Sequence, residues 1–266
     1  MSSRYIGIAA IKFKRLVDYL QRIDLDVQVI AKNAGLSIEA IQQASDESIL
    51  SAYDYSKLFK QSVLAMQTLR RPLPWAAGVG SEIFEMLCRC LIGCKTLGEA
   101  LDRAQKFDAL LYPISGYKIS VYQDQGFCHL KYHIDPLNVD KVFIPADWDR
   151  YDSYDTIIKA SGLLVWHALC GWLIGRTIEA HGLQISAPEV GEAYTISVEK
   201  LIDCSVEFDA EINQLVFAEE FLDFRLVQTA ESLEEFLKNT VYELILSEKK
   251  PASTSAAIKS LVGLDF

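Results

Sequence analysis

The stretch "SGLLVWHALCGWLIG", residues 161–175, constrains the fold more than any other. It is apolar on every side, and only His167 interrupts it. A helix that is hydrophobic all round must be buried. A bilayer span needs about 20 such residues in a row, and this run is shorter. It therefore reads as the core of a long helix from about 154 to 181, buried inside a globular protein. Other elements must surround it, and a 266-residue chain that is 50% hydrophobic has the material to do so.

Those elements change character along the chain. Residues 5–111 read as mainly helical. Phe13, Leu16, Val17 and Leu20 fall on one stripe, and Tyr55, Leu58, Phe59 and Val63 on another. "RRPLPW" (70–75) breaks the pattern, and a further helix covers about 81–93. "TLGEALDRAQKFDALL" opens with Thr96 and Glu99 in capping-box spacing, with Leu97, Leu101, Ala104 and Leu111 on its buried face.

From 117 the period shortens to two. "YKISVYQDQGFCHLKYHI" is a hairpin pattern, with Gly126 suited to the left-handed turn position. After the long helix, "LQISAP" (183–188) reads as a short strand, "SVEKLI" as a helical turn or two, and "SVEFDAEINQLVFA" (205–218) as a second hairpin. Ser232 and Glu235 have capping-box spacing for a helix through about 247, and "SEKKPASTSAAIKSL" has linker composition. The fold class is α+β: a helical N-terminal part plus a mostly antiparallel sheet of about five strands covered by helices. We expect one domain over 1–247, with a mainly helical subdomain at 5–111 and an α+β part at 112–247, and a linker at 248–266.

Charge argues against one function class. The net charge is −10, whereas a nucleic-acid reader needs a positive face. This bears on "VQVIAKNAGLSIEAIQQA" (27–44), which has the outline of a helix-turn-helix, with Gly35 at the turn and Ser37 as the second cap. Between 27 and 46 its only base is Lys32, against Glu39 and Asp46, and the second helix offers only Gln42 and Gln43 for base contacts. Phosphate anchoring requires cations or many amides, so we expect packing here rather than DNA reading. The N-terminus lacks a signal peptide's long apolar core. The six cysteines stand in apolar surroundings, as reduced core thiols of a cytoplasmic protein would.

A search for catalytic motifs finds none. There is no G-x-S-x-G, Walker loop or H-E-x-x-H. "GVGSE" (78–82) lacks a third glycine, since position 83 is Ile83. Cys88, Cys90 and Cys94 would point to different faces of a helix and read as core thiols. His129, Lys131 and His133 share one strand face, opposite Leu130, Tyr132 and Ile134. The two histidines suggest a metal, which the intervening lysine repels. His167 stands beside Trp166, as a core residue or as a pocket residue fixing a small molecule. The acidic, aromatic run "DRYDSYD" carries Asp149, Tyr151, Asp152, Tyr154 and Asp155, suited to a helix start or a cation-binding rim.

Four stretches together resemble a family. "CKTLGEALDRAQKFDALL" (94–111) is similar to the signature helix of the N-terminal, arabinose-binding-type domain of AraC-family transcriptional regulators. "WLIGR" (172–176), "SVEFDAEINQLVFAEEFLD" (205–223) and "ESLEEFL" (231–237) resemble its later motifs in the same order. Asp203 and Ser205 depart from its usual Gly and Pro. The resemblance implies a bacterial, cytoplasmic, non-enzymatic sensory domain without a cofactor. It implies an unidentified small-molecule effector, a homodimer, no membrane contact, and DNA bound only through a C-terminal helix-turn-helix domain. That domain would begin near "AAIKSLVGLDF", where this sequence stops.

The residues themselves, not the resemblance, suggest an effector pocket between the first hairpin and the long helix: Tyr132, His129, His133, Trp166 and His167. Two alternatives remain open at this level. One is a stand-alone protein that modulates intact relatives by heterodimerisation. The other is a metal-binding protein or enzyme using His129 and His133.

Overall fold

The computed structural model describes residues 7–68, 76–134 and 153–247. The break at 70–75, most of the acidic run (Asp149, Tyr151 and Asp152) and the linker expected at 248–266 lie outside them. Strand β1 (Gly7–Ala9) leads directly into α1 (Ala10–Arg22), and α2 (Val27–Asn33) and α3 (Ile38–Gln43) follow. Strand β2 (Ile49–Ser51) pairs antiparallel with β1 and runs into α4 (Ala52–Thr68). This small two-stranded sheet is an addition to the mainly helical reading of 5–111. Its strands are too short to show a period.

The helix-turn-helix outline of residues 27–44 is real. Asp26 caps α2, Ser37 caps α3, and Gly35 takes the left-handed turn at φ 72°. Val27, Ile30, Ala31, Ile38 and Ile41 are buried beneath it. Then come α5 (Glu82–Leu91) and α6 (Leu97–Ser115). Thr96 caps α6 by accepting from the Glu99 amide, while the Glu99 carboxylate turns back to the Lys95 amide. Leu97, Leu101 and Ala104 line the buried face of α6, with Leu111 half-buried.

Gly116, at φ 74°, ends α6 and starts the main sheet. Strands β3 (Tyr117–Asp124) and β4 (Phe127–Ile134) form the expected hairpin. Its two turn residues, Gln125 and Gly126, both have positive φ, which matches the twist of paired strands. Helix α7 (Ser153–Ile174) is the long apolar helix expected from the sequence. Residues Tyr154–Ile174 are long and apolar enough to cross a bilayer, yet 94% of that apolar window is buried inside the fold.

Helix α7 ends earlier than expected. Gly175 takes φ 70°, its amide bonds to Trp172 O, and the Arg176 amide bonds to Gly171 O. That pair of bonds is a Schellman stop, so residues 180–181 are free to enter strand β5 (Ala180–Gln184). The strand therefore sits a few residues before the expected 183–188. Helix α8 (Glu192–Ile202) is longer than the expected turn or two.

The expected second hairpin, 205–218, is not a hairpin. Strand β6 (Val206–Glu207) lies parallel to β5, whereas β7 (Gln214–Ala218) inserts antiparallel between β4 and β5. Asp209, at φ 53°, diverts the chain, and the Asp209 and Ala210 amides bond to Ala187 O and Ile185 O. The sheet order is β3-β4-β7-β5-β6, with only the last pair parallel. After a 3-10 turn at Glu219–Asp223 come α9 (Ala230–Lys238) and α10 (Thr240–Ser247). The capping box of α9 is Thr229 with Ser232, one turn before the Ser232–Glu235 pair expected to form it, and Asn239 splits the expected single helix.

One buried cluster extends from Ile8 to Leu244. The sheet's inner face, with Ile119, Cys128, Leu130, Leu183, Leu215 and Phe217, contributes to it, and α7 packs on β4. The C-terminal helices close over the other end of α7. Phe236 stacks on Trp172 at 4.1 Å, and α10 packs on both α7 and α4. Lys60 of α4 donates to Leu237 O at 2.7 Å.

Candidate functional site

The pleat of β4 separates the residues that the sequence pattern groups. Side chains on a strand alternate between faces. His129 and His133 therefore lie on the outer face and Tyr132 on the inner one. His133 Nε2 lies 3.1 Å from the Ser120 hydroxyl, and burial, with Lys118 and Lys131, lowers the pKa of its ring. His129 stacks flat on Tyr122 at 4.5 Å, and Lys131 sits over the same Tyr122 ring. From there a polar ladder crosses the sheet: Tyr122 donates to Gln214, Gln214 to Gln184, and Gln184 to Glu207. Among the described residues no group of three His, Cys, Asp or Glu side chains could hold a metal ion.

His167 of α7 turns to the segment that follows the helix. Its Nε2 donates to Ile178 O at 2.8 Å, which ties the segment after α7 back to the helix. At 2% exposure it is a satisfied core histidine.

The inner face is different. Tyr132 is 2% exposed, and its ring lies against α7 at Gly162. A Cβ on Gly162 would fall 2.1 Å from Tyr132 Cε1, so only glycine admits the ring there. Yet the Tyr132 hydroxyl has no hydrogen-bond partner, nor has that of Tyr154 at the start of α7. The Ala77 amide acts weakly on the Tyr132 oxygen without reaching hydrogen-bond geometry, and it leaves the phenol proton without an acceptor. One turn beyond Gly162, the Trp166 indole Nε1 is also buried and unpaired. An unpaired buried polar group costs about 1–3 kcal/mol, so one on β4 and two on α7 call for an explanation.

Two further groups complete this region. Tyr117 of β3 reaches the turn at Gly78, where a Cβ would fall 2.1 Å from its hydroxyl and where the Ser81 hydroxyl bonds it. Asp108 of α6 is buried, and one of its oxygens accepts from the Ile119 amide at 3.2 Å. With Gln105, which accepts from the Val121 amide, it covers the free edge of β3. Burial pushes the Asp108 carboxyl up to about 7, and the Ile119 amide offsets part of that. Burial also raises the Tyr117, Tyr132 and Tyr154 phenols, so all three stay neutral. Asp108 acts on both Tyr117 and Tyr132, and Tyr154 acts on Tyr132.

Asp108 and Gly162 were missed from sequence. Asp108 continues the buried stripe of Leu97, Leu101 and Ala104, where a carboxylate is out of place. Gly162 is an isolated glycine within an otherwise apolar helix. A separate cleft of about 320 Å³ lies on the surface between α6, β3 and the Glu219–Asp223 turn, with Gln105, Tyr122 and Leu222 among its walls.

Comparison with known proteins bears on this arrangement. The family described as the arabinose-binding domain of AraC transcription regulator, N-terminal, matches residues 25–226. No curated protein matches the chain. Among solved structures, the transcriptional regulator CdpR from Pseudomonas aeruginosa aligns at 15% identity and a TM-score of 0.42. The alignment covers 89% of this chain and 65% of that one. The family match covers α2 through the Glu219–Asp223 turn, and so takes in the whole sheet, α7 and the inner-face cluster. The chain belongs to the arabinose-binding family of N-terminal regulatory domains found in AraC-type transcription regulators.

Proposed function

We propose that this chain is the effector-sensing and dimerising part of an AraC-type regulator, and that its effector binds between the β3–β4 hairpin and α7. The observation that carries this is the set of buried, unpaired polar atoms on that seam: the Tyr132 and Tyr154 hydroxyls and Trp166 Nε1. Native interiors pair nearly all such groups. A ligand supplies the missing partners and draws the hairpin and helix together. Of the five residues suggested by sequence, Tyr132 and Trp166 belong to this site. His129, His133 and His167 do not.

The route outward is short. Helix α7 touches both the cluster and α10, and α10 ends at Ser247. A ligand that binds one packing of α7 better than another biases the chain beyond α10. Transcriptional control then acts through a DNA-binding domain outside these 266 residues, with a linker from 248. The division into 5–111 and 112–247 is retained as an organising proposal: the first part braces α7, and the second holds the ligand.

A thermal-shift screen of small metabolites, L-arabinose included, tests the site. Ligands that bind the folded state raise its melting temperature. Hits are then remeasured in Tyr132→Phe and His133→Ala. We expect their shifts to shrink in the first variant and persist in the second. Shifts that vanish with His133→Ala and survive Tyr132→Phe place the site on the outer face and overturn the proposal.

A further inference from the structure

We propose that the inner site takes an uncharged small molecule with an apolar body and carbonyl-type acceptor oxygens, such as a lactone or amide, rather than a polyol or an anion. This rests on the reading of the hairpin–α7 seam as the effector site. Three observations define the class.

Three unpaired groups at the seam can donate, the Tyr132 and Tyr154 hydroxyls and Trp166 Nε1, against one unpaired acceptor on the same helix, Asp155 Oδ1, whose carboxylate is held by Lys159. Trp166 Nε1 is donor-only, and the two phenols remain protonated because burial disfavours their anions. A carbonyl oxygen, with two lone pairs and no proton of its own, satisfies such groups directly. A polyol brings several hydroxyl protons that need acceptors. Of the carboxylates that act on the phenols, Asp108 spends one oxygen on the Ile119 amide and Asp155 one on Lys159, which leaves fewer acceptors than a polyol has hydroxyl protons.

Among the described residues, the charges near the seam disfavour an anion. The charged groups that act on the phenols are carboxylates: Asp108 on Tyr117 and Tyr132, and Asp155 on Tyr154. Lys159, one turn along α7, is spent on Asp155 and on Ser186 O, at 2.6 and 2.7 Å. No lysine, arginine or histidine among the described residues shifts Tyr117, Tyr132 or Tyr154. A buried anion without a cation partner is strongly disfavoured.

Most of the other buried side chains along the seam are hydrocarbon, with Thr156 and Ser161 the polar ones on this stretch of α7. Ile157, Ile158, Leu163 and Val165 are buried along the same stretch of α7, and Ile119 and Leu130 flank the tyrosines in the sheet. Such walls favour an apolar body.

The test uses the full chain and five probes: γ-octalactone and octanamide, their anionic and cationic counterparts octanoate and octylamine, and L-arabinose. Binding is measured by titration calorimetry and thermal shift in wild type, Tyr132→Phe and Trp166→Phe. Tyr132→Phe removes a hydroxyl without a partner, so it keeps the fold, and circular dichroism confirms that. We expect the lactone and the amide to bind at least tenfold more tightly than the other three probes. We expect Tyr132→Phe to weaken them about tenfold, as loss of one buried hydrogen bond does. Tighter binding of octanoate, octylamine or L-arabinose that still depends on Tyr132 overturns the ligand class and leaves the site standing. Binding indifferent to both variants overturns the site itself. An absence of binding by all five probes overturns the ligand class.

Discussion

At the scale of single residues, Asp108 is the most telling group, because its cost depends on pH. A carboxyl ordinarily near 3.8 stands at about 7 in the fold, chiefly through burial. Between about pH 4 and pH 7 the folded protein therefore holds a proton that the unfolded chain has released. Stability falls as pH rises through that window. It is level below it, where both states are protonated, and above it, where both are ionised. The size is on the order of a few kcal/mol. Asp108→Asn keeps an acceptor for the Ile119 amide and cannot titrate. We expect the wild-type melting temperature to climb by several degrees from pH 8 to pH 5, and the Asn variant to give a flatter profile. Superimposable profiles from differential scanning calorimetry would show that Asp108 is not buried against β3. The residue was readable in the sequence as a carboxylate on an apolar stripe. Its role was not, because the β3 amides that it caps lie across a turn and its neighbours Tyr117 and Tyr132 come from other elements.

At the scale of elements, what could be read depended on whether an element's signal is local. Helix α7 was legible because a fifteen-residue stretch that is apolar apart from Ser161 and His167 admits one reading, and the β3–β4 hairpin because its alternation and turn agree. Strands β5, β6 and β7 were not legible as a set. They are two to five residues long, and their partners are fixed by β4 and by the turn at Asp209. The parity of β4 was legible, and it already placed His129 and His133 opposite Tyr132. Grouping all three in one pocket ignored it. The contact of α7 with the hairpin makes a sharper claim. In an exposed helix, glycine to alanine stabilises by about 1 kcal/mol. At Gly162 the added methyl would stand 2.1 Å from Tyr132 Cε1 and 2.4 Å from Cζ. Overpacking of this kind costs about 1–3 kcal/mol, so the steric term outweighs the propensity gain. Gly162→Ala should destabilise by about 1 kcal/mol or more in urea denaturation and reduce ligand binding. A gain in stability would mean that the ring does not rest on the helix.

At the scale of the whole molecule, shape and charge point in opposite directions, and charge decides. Helices α2 and α3 make a helix-turn-helix, with Gly35 in the left-handed turn. Its large apolar residues, apart from the exposed Val29, face inward to the common core. Its outer surface carries Lys32, Gln42 and Gln43 exposed, along with Asp26 and Glu39. Its polar groups are also used internally: Gln28 donates to Glu39, the Ser37 hydroxyl donates to Glu39, and Asp26 accepts from the Gln28 and Val29 amides. Those bonds keep the Glu39 carboxyl below its ordinary pKa, with the Ser37 hydroxyl contributing most, so this face holds its negative charge at neutral pH. Duplex DNA is bound mainly through phosphate neutralisation and counterion release. A face with one cation against two carboxylates, on a chain of net charge −10, cannot supply that. Residues 1–266 alone should therefore give no electrophoretic shift of duplex DNA even at low salt, where weak electrostatic binding is strongest. A shift that is abolished by Gln42→Ala with Gln43→Ala would make α3 a reading helix. The sensor would then carry its own DNA contact, and the proposed division of labour between this chain and a separate DNA-binding domain would fail.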